Sequence, residues 1–182
     1  MQNVWLIFLL LLLLSSCQNS LQDVELYSKD INVNIEQGTN VEIRYSEKAK
    51  VQVKIIAPKL IKFKGEDPYM EMPEKVEMYF YNDWGETTSK LTADYGIHFS
   101  KRKTMKAVGN VLLVNNKGEK LNAEELIWDQ NNKKIYSDKF VKVTTEDEIM
   151  FGNGFESNED FSEYKVMKLT GQLKIDKKVI EN

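Results

Sequence analysis

Apolar and polar residues alternate along much of this chain. Three segments carry apolar residues at alternate positions: Val51, Val53 and Ile55; Val76, Met78 and Phe80; and Met167, Leu169, Leu173 and Ile175. A period of two places successive side chains on opposite faces of a strand. We therefore expect strands with one apolar face and one solvent-exposed face. The last of the three segments has the most regular alternation.

Short polar or glycine-containing breaks separate the strand-like segments. They lie at residues 82–85, 100–103, 115–118 and 131–134. Breaks of about four residues have the spacing of hairpin turns, so the pattern predicts an up-and-down meander. Residues 122–128 contain good helix formers, but they lie between two such turns, and we favour a strand there over a helix.

One strand-like segment recurs along the chain. Residues 91–99 are echoed 30 positions later by residues 121–129, and earlier by residues 55–63. Downstream, Val111 and Leu113 fall in register with Val141 and Val143. An all-strand repeat of this length cannot bury its apolar face alone, so the copies must stack. A sandwich, a jelly roll and a short β-solenoid all satisfy this requirement.

The N-terminus has the pattern of a bacterial lipoprotein signal peptide. An apolar run from Val4 to Leu14 is followed by Ser15, Ser16 and the only cysteine, Cys17. The run is far shorter than the roughly 20 residues that span a bilayer. We predict a signal peptide over residues 1–16, an acylated Cys17 with a tether to residue 31, a domain over 32–175 and a charged tail over 176–182. An ordinary cleaved signal is the alternative, and no Lys or Arg lies between Met1 and Trp5.

Composition narrows what the exported part can be. Processing at Cys17 leaves 166 of the 182 residues, enough for one domain with a real core. A net charge of -3 provides no positive potential that would attract the phosphate backbone of nucleic acid, so we do not expect nucleic-acid binding. With no cysteine besides Cys17, disulfides and thiolate metal sites are excluded, and the core alone must hold the domain together.

Residues 91–155 resemble the LptC family, the periplasmic bridge component of lipopolysaccharide export. The matching segments are residues 121–128 (LNAEELIW), 134–137 (KIYS), 141–143 (VKV) and 149–156 (IMFGNGFE), with a more diffuse match back to about residue 32. The resemblance implies an all-β fold, a single antiparallel β-jelly roll or V-shaped sandwich built from repeated hairpins, with an open apolar groove. One departure is that the best-known members keep an N-terminal transmembrane helix, whereas this chain carries a lipoprotein signal.

The resemblance implies that the protein transports a lipid and catalyses no reaction. Such a protein accepts lipopolysaccharide from an inner-membrane ABC transporter, holds its acyl chains in the jelly roll and passes it to a periplasmic jelly-roll bridge protein. The implied location is the periplasm, anchored by lipid to the inner membrane, with the outer membrane as the alternative. No cofactor or metal is expected.

The groove candidates are alternating apolar residues of the repeats: Phe80, Phe99, Val111, Leu113, Val141, Val143 and Leu169. Acyl chains in such a groove gain free energy roughly in proportion to the apolar area they bury. Ordinary core packing is the competing interpretation, because the interior of any sandwich needs the same residues.

The last strand is a candidate docking edge. Its residues are Met167, Lys168, Leu169, Thr170, Gly171, Gln172 and Leu173. Only a short charged tail follows, so the strand has no later partner and can accept a neighbour's strand by β-augmentation. The alternative is that its lysines simply protect the edge against aggregation.

The remaining polar residues give little support to an enzyme. His98 is the only histidine, which leaves no His-based triad or histidine-rich metal site. We interpret the acidic groups at residues 124–125, 146–148 and 159–160 as solvated loops, and the basic cluster at residues 101–103 as a hairpin tip. A structural or adhesive β-repeat lipoprotein stays open as an alternative function, and a glycan-cleaving enzyme lacks an evident carboxylate pair.

Overall fold

The computed structural model describes residues 34–175, and this part of the chain is all strand and turn. The twelve strands are β1 (Ile35–Glu47), β2 (Lys50–Phe63), β3 (Tyr69–Met72), β4 (Val76–Tyr81), β5 (Thr87–Ala93), β6 (Tyr95–Phe99), β7 (Thr104–Asn115), β8 (Lys120–Asp129), β9 (Lys134–Thr144), β10 (Glu148–Asn158), β11 (Tyr164–Val166) and β12 (Leu169–Lys174). The all-β prediction is confirmed, including a strand over residues 122–128. No helix long and apolar enough to cross a membrane occurs between residues 34 and 175. The predicted signal peptide, Cys17, the tether and the charged tail lie outside the described residues.

The strands form one antiparallel sheet in which the chain runs up and down in order. Three pairs of short strands each continue a single path: β3 with β4, β5 with β6, and β11 with β12. Thus β2 pairs with both β3 and β4, β7 pairs with both β5 and β6, and β10 pairs with both β11 and β12. The predicted meander is therefore confirmed, with β1 at one edge and the β11–β12 path at the other.

Most of these paths are interrupted near the middle, and the interruptions line up as a crease across the sheet. Register shifts fall between Val108 and Val111 in β7, between Ala123 and Ile127 in β8, and between Asn153 and Phe155 in β10. Asp94, between β5 and β6, donates its backbone N–H to the Gly109 carbonyl at 3.0 Å. Bulges bend strands, so a row of them folds one meander into two layers.

Each long strand therefore contributes one half to each layer. Layer 1 contains β4, β5, β12 and the halves of the long strands beside them; layer 2 contains β3, β6, β11 and the opposite halves. The Phe80 ring of layer 1 lies 5.5 Å from Trp128 of layer 2, centroid to centroid. The two apolar inner faces thus share one core, as in a V-shaped sandwich.

Small residues mark the crease in the repeated segment. Ala57, Ala93 and Ala123 occupy the same position in its three copies, and Ala57 and Ala93 are 1% and 5% exposed. Layers converge at a crease, so only a small side chain fits there between closely packed neighbours. The repeat found in the sequence is thus one strand path that crosses from layer 1 to layer 2.

Two rows of turns form the free ends of the layers. Residues 82–86, 116–119 and 145–147 end layer 1 together with the β1–β2 turn, while residues 64–68, 100–103, 130–133 and 159–163 end layer 2. The four predicted breaks are confirmed as hairpin turns. We call the opening between the two rows of turns the mouth.

Candidate functional site

A cleft lies in the mouth, at the end nearest the β1–β2 turn. It encloses about 580 Å³, and its lining comes from both layers and from the β10–β11 turn. The residues that decide its chemistry are Tyr45 and Gln52 from layer 1, His98, Trp128 and Gln130 from layer 2, and Glu159. A concave site with aromatic walls and a few convergent polar groups is the usual form of a ligand site.

Aromatic rings form the inner wall of this cleft. The Tyr45 ring lies 5.7 Å from His98 and 5.8 Å from Trp128, the latter edge-on. Trp128 in turn meets Phe80 edge-on, which continues the apolar surface into the core. Tyr45 therefore links layer 1 to layer 2 at this point of the mouth, by these ring contacts and by a hydrogen bond with the Gln130 side chain.

His98 is a buried polar group that its surroundings only half satisfy. The side chain is 5% exposed, and the Gln130 amide nitrogen lies 3.2 Å from its Nε2. Its Nδ1 has no hydrogen-bond partner within the described part of the chain. Burial lowers the pKa of the imidazole, against a smaller opposite effect of the Gln130 hydrogen bond, so the ring is neutral at pH 7.

Glu159 supplies a carboxylate at the boundary of the mouth and the core. The indole Nε1 of Trp128 donates a hydrogen bond to Glu159 Oε1 at 2.7 Å. Burial raises the pKa of this carboxyl, while the Trp128 hydrogen bond and nearby Lys133 oppose the shift. Because an indole can only donate, this contact favours the ionised carboxylate as acceptor.

An ion pair spans the outer rim of the mouth. Lys133 Nζ of layer 2 lies 2.7 Å from Glu47 Oε2 beside the β1–β2 turn, and both side chains are exposed. Exposed pairs of this kind contribute about 0–1 kcal/mol, so the rim contact is easily broken.

Five of the predicted groove residues face the interior between the layers. They are Phe80, Val111, Leu113, Val141 and Val143, each no more than 2% exposed. All five belong to the same core cluster. The structure thus brings these residues together, with their side chains packed against other side chains rather than along an open channel.

Phe99 and Leu169 do not lie in that interior. Strand β6 turns His98 inward, and the Phe99 ring lies on the outer face, where the Arg102 guanidinium carbon is 4.0 Å from its centroid. The reason is Asp94, a single residue at the crease that reverses the alternation carried in from β5. Leu169 is 51% exposed on the edge strand.

The β11–β12 path forms the C-terminal edge of the described sheet, where the candidate docking residues were placed. Its expected regular alternation is broken, because Lys168 has a φ of 44° and the register shifts opposite Gly152. Leu173 consequently lies on the outer face, 58% exposed, opposite Ile149. We call Phe140, Ile149, Phe151 and Leu173 the outer patch; within it the Phe140 and Phe151 rings stack with centroids 6.2 Å apart.

Sequence reasoning missed most of the mouth. Tyr45, Gln130 and Glu159 stand far apart along the chain, and only the folding of the sheet brings them together. Trp128 sits in the repeated segment at a position where the other copies have Lys62 and His98, and this departure was the available signal. The acidic stretches fall mainly in turns or at the crease, and no group of three metal-binding side chains occurs within residues 34–175.

Comparison with known protein families decides the assignment. A family profile described as lipopolysaccharide-assembly, LptC-related, matches residues 4–175, which is nearly the whole chain and all of the described sheet. The chain belongs to the LptC-related family. No curated protein matches it. Proteins of the LptC family take part in the lipopolysaccharide transport bridge, which is associated with the membrane. The LptC family is a transport family and not an enzyme family, so membership assigns this chain to lipopolysaccharide transport.

Proposed function

We propose that this protein accepts lipopolysaccharide from an inner-membrane ABC transporter and passes it to a periplasmic jelly-roll bridge protein. The observation that carries the proposal is the LptC match across the entire folded sheet. The fold supports it, because a sheet creased into two apolar layers offers an interior in which acyl chains escape water. ATP hydrolysis by the transporter supplies the work, and the chain itself supplies a path.

Acyl chains enter this path through the mouth. The interior residues are packed together in the structure, so lipid can enter only if the layers separate. The contacts that join the rims beside the cleft are suited to separation. They include the exposed Lys133–Glu47 pair and the ring contacts of Tyr45, and acyl chains can replace those ring contacts with apolar contacts of their own.

Release of lipid to the next protein occurs at the β11–β12 edge. This edge leaves backbone groups of the last strand without a neighbour in the described sheet, and Leu169 and Leu173 are exposed beside them. A partner strand added here would extend the sheet and place its own layers in line with these two. Lysines along the edge discourage pairing with unmatched strands.

The domain is held at the membrane by lipid on Cys17. Two or more acyl chains on one residue provide stable anchoring, since each buried methylene adds about 0.8 kcal/mol. The transporter that supplies lipopolysaccharide lies in the inner membrane, so we assign the anchor to the periplasmic face of that membrane.

In-cell photocrosslinking tests the path. A photoreactive phenylalanine derivative replaces Tyr45 in the mouth or, as the control, Tyr136 on the outer face of β9. Both changes exchange one aromatic residue for another. We expect lipopolysaccharide adducts at position 45 that disappear when the transporter's ATPase is inactivated, and none at position 136. Equal labelling at both positions, or none at 45 in folded protein, would overturn the proposed path and favour a structural lipoprotein.

A further inference from the structure

The β10–β11 turn, residues 159–163, belongs to layer 2 but is fastened to layer 1. Ser89 Oγ, at the start of the layer 1 path, donates a hydrogen bond to the Glu159 carbonyl oxygen at 2.7 Å. Asn115 Nδ2 donates to the Phe161 carbonyl oxygen at 2.9 Å. Ser89 and Asn115 are 2% and 6% exposed, so both bonds lie inside the mouth. The turn therefore crosses the mouth beside the cleft and joins layer 2 to layer 1.

Phe161 fills the space beneath this turn. Its side chain is fully buried, with ring centroids 5.7 Å from Phe155 and 5.0 Å from Tyr164. Its φ of 54° is a left-handed conformation that a bulky residue rarely adopts. A strained backbone is thus held in place by hydrogen bonds from the opposite layer and by burial of one ring.

The side chain of Glu159 adds a further contact at the start of the turn. The Glu159 carboxylate accepts the Trp128 indole hydrogen bond at 2.7 Å, at the edge of the cleft. Lys133, Glu47 and Asp160 are the charged groups that act on this carboxylate. Water can replace each of these hydrogen bonds when the turn moves outward, whereas Phe161 alone leaves an apolar space that needs a new occupant.

We propose that residues 159–163 are a gate, and that the space occupied by Phe161 is a binding site for one acyl chain of an amphiphile. The inference rests on the proposed function. It adds the site at which an acyl chain binds and the segment that must move to admit the chain. When the gate swings outward, the chain lies against Phe155 and Tyr164 in place of the Phe161 ring. Closure of the gate returns the ring and expels the chain, which suits a protein that must release its cargo.

Two variants open the gate by different means. Phe161→Gly removes the ring and relieves the strain, because glycine adopts positive φ freely. Ser89→Ala removes only the hydrogen bond to the Glu159 carbonyl. Phe99→Ala, on the outer face, is the matched control for loss of a phenyl ring.

The experiment measures binding of a fluorescent long-chain fatty acid to the full chain, together with amide hydrogen exchange over residues 158–164. We expect Phe161→Gly to bind the fatty acid about tenfold tighter and Ser89→Ala a few fold tighter, with Phe99→Ala equal to wild type. In wild type, the fatty acid should speed exchange in the gate and slow it in the strands of the core.

The outcomes separate the gate from the function on which it rests. If wild type binds the fatty acid but both variants bind with unchanged affinity and exchange in the gate is unaltered, the gate is refuted and the transport path stands. If neither wild type nor any variant binds, both are refuted. Should Phe161→Gly fail to fold, Ser89→Ala alone decides between these results.

Discussion

His98 is the residue where burial and titration are most directly linked. The ring occupies an inner position of β6. Of its two nitrogens, only Nε2 has a hydrogen-bond partner among the described residues. The same position in another copy of the repeated segment is Trp128, which is also buried, so an inner position there does not require an imidazole.

We predict that His98 makes the protein less stable in mild acid. The unfolded chain takes up a proton near the ordinary pKa of 6.5, whereas the folded pKa is lower. Stability is therefore fully present above 6.5 and is lost as the pH falls below it, by up to about 1.4 kcal/mol per pH unit. Urea unfolding of wild type and His98→Gln across this range measures the difference in slope. Parallel curves for the two proteins would contradict the lowered pKa.

Leu113 and Leu169 give opposite predictions although the sequence suggested the same role for both. Leu113 is fully buried and Leu169 is 51% exposed. Leu113→Ala should lower the free energy of unfolding by about 2–5 kcal/mol, because it leaves a cavity in the core. Leu169→Ala should change it by less than about 0.5 kcal/mol. Chemical denaturation measures both, and a small effect at Leu113 would argue that the interior is a loose channel already.

At the scale of elements, the crease explains where sequence analysis succeeded and where it failed. Strand type, turn positions and the order of the meander follow from local alternation and turn residues, and all were predictable. Beyond a bulge, the face that a residue occupies was not predictable. One extra residue, at Asp94 or beside Lys168, reverses the alternation of inner and outer positions. Phe99 was therefore assigned to the groove, and Leu173 to the apolar face of the last strand, although both lie on outer faces.

Gly152 tests the packing of the edge path on β10. A Cβ built at Gly152 would lie 2.5 Å from both the Met167 backbone oxygen and Val166 Cγ1, whereas one at Gly171 would lie 3.4 Å from the Phe151 ring. Gly152→Ala should therefore destabilise the protein by about 1–3 kcal/mol and loosen the edge. Gly171→Ala should be within about 0.5 kcal/mol of wild type. Thermal unfolding and hydrogen exchange of residues 164–174 measure both, and equal behaviour would contradict the described edge packing.

The exposed leucine of the outer patch tests docking at the same edge. Leu173→Asp places a charge beside the pairing edge, and we expect it to weaken binding of the periplasmic jelly-roll bridge protein about tenfold. Tyr136→Asp, also on an outer face, is the matched control and should bind as wild type does. Surface plasmon resonance on folded variants measures both. Unchanged binding by Leu173→Asp would remove the β11–β12 edge as the docking surface.

At the scale of the molecule, one creased sheet explains how the two layers are joined and where they can separate. The crease joins the layers along one side, and along the other side the mouth is held by an exposed ion pair, ring contacts and a hydrogen-bonded turn. Sequence repeats predicted stacked strands, but contacts across the mouth connect residues as distant as Ser89 and Glu159, and no local pattern encodes them. Opening along the mouth leaves the crease and the strand pairing intact.

Reconstituted transport tests whether this chain carries lipopolysaccharide from the transporter to the bridge protein. Proteoliposomes contain the inner-membrane transporter and lipopolysaccharide, with or without the full-length chain, and a soluble jelly-roll bridge protein outside carries a photocrosslinker. We expect lipopolysaccharide adducts on the bridge protein only when both ATP and the chain are present. Equal ATP-dependent transfer without the chain would contradict its role as the link between transporter and bridge.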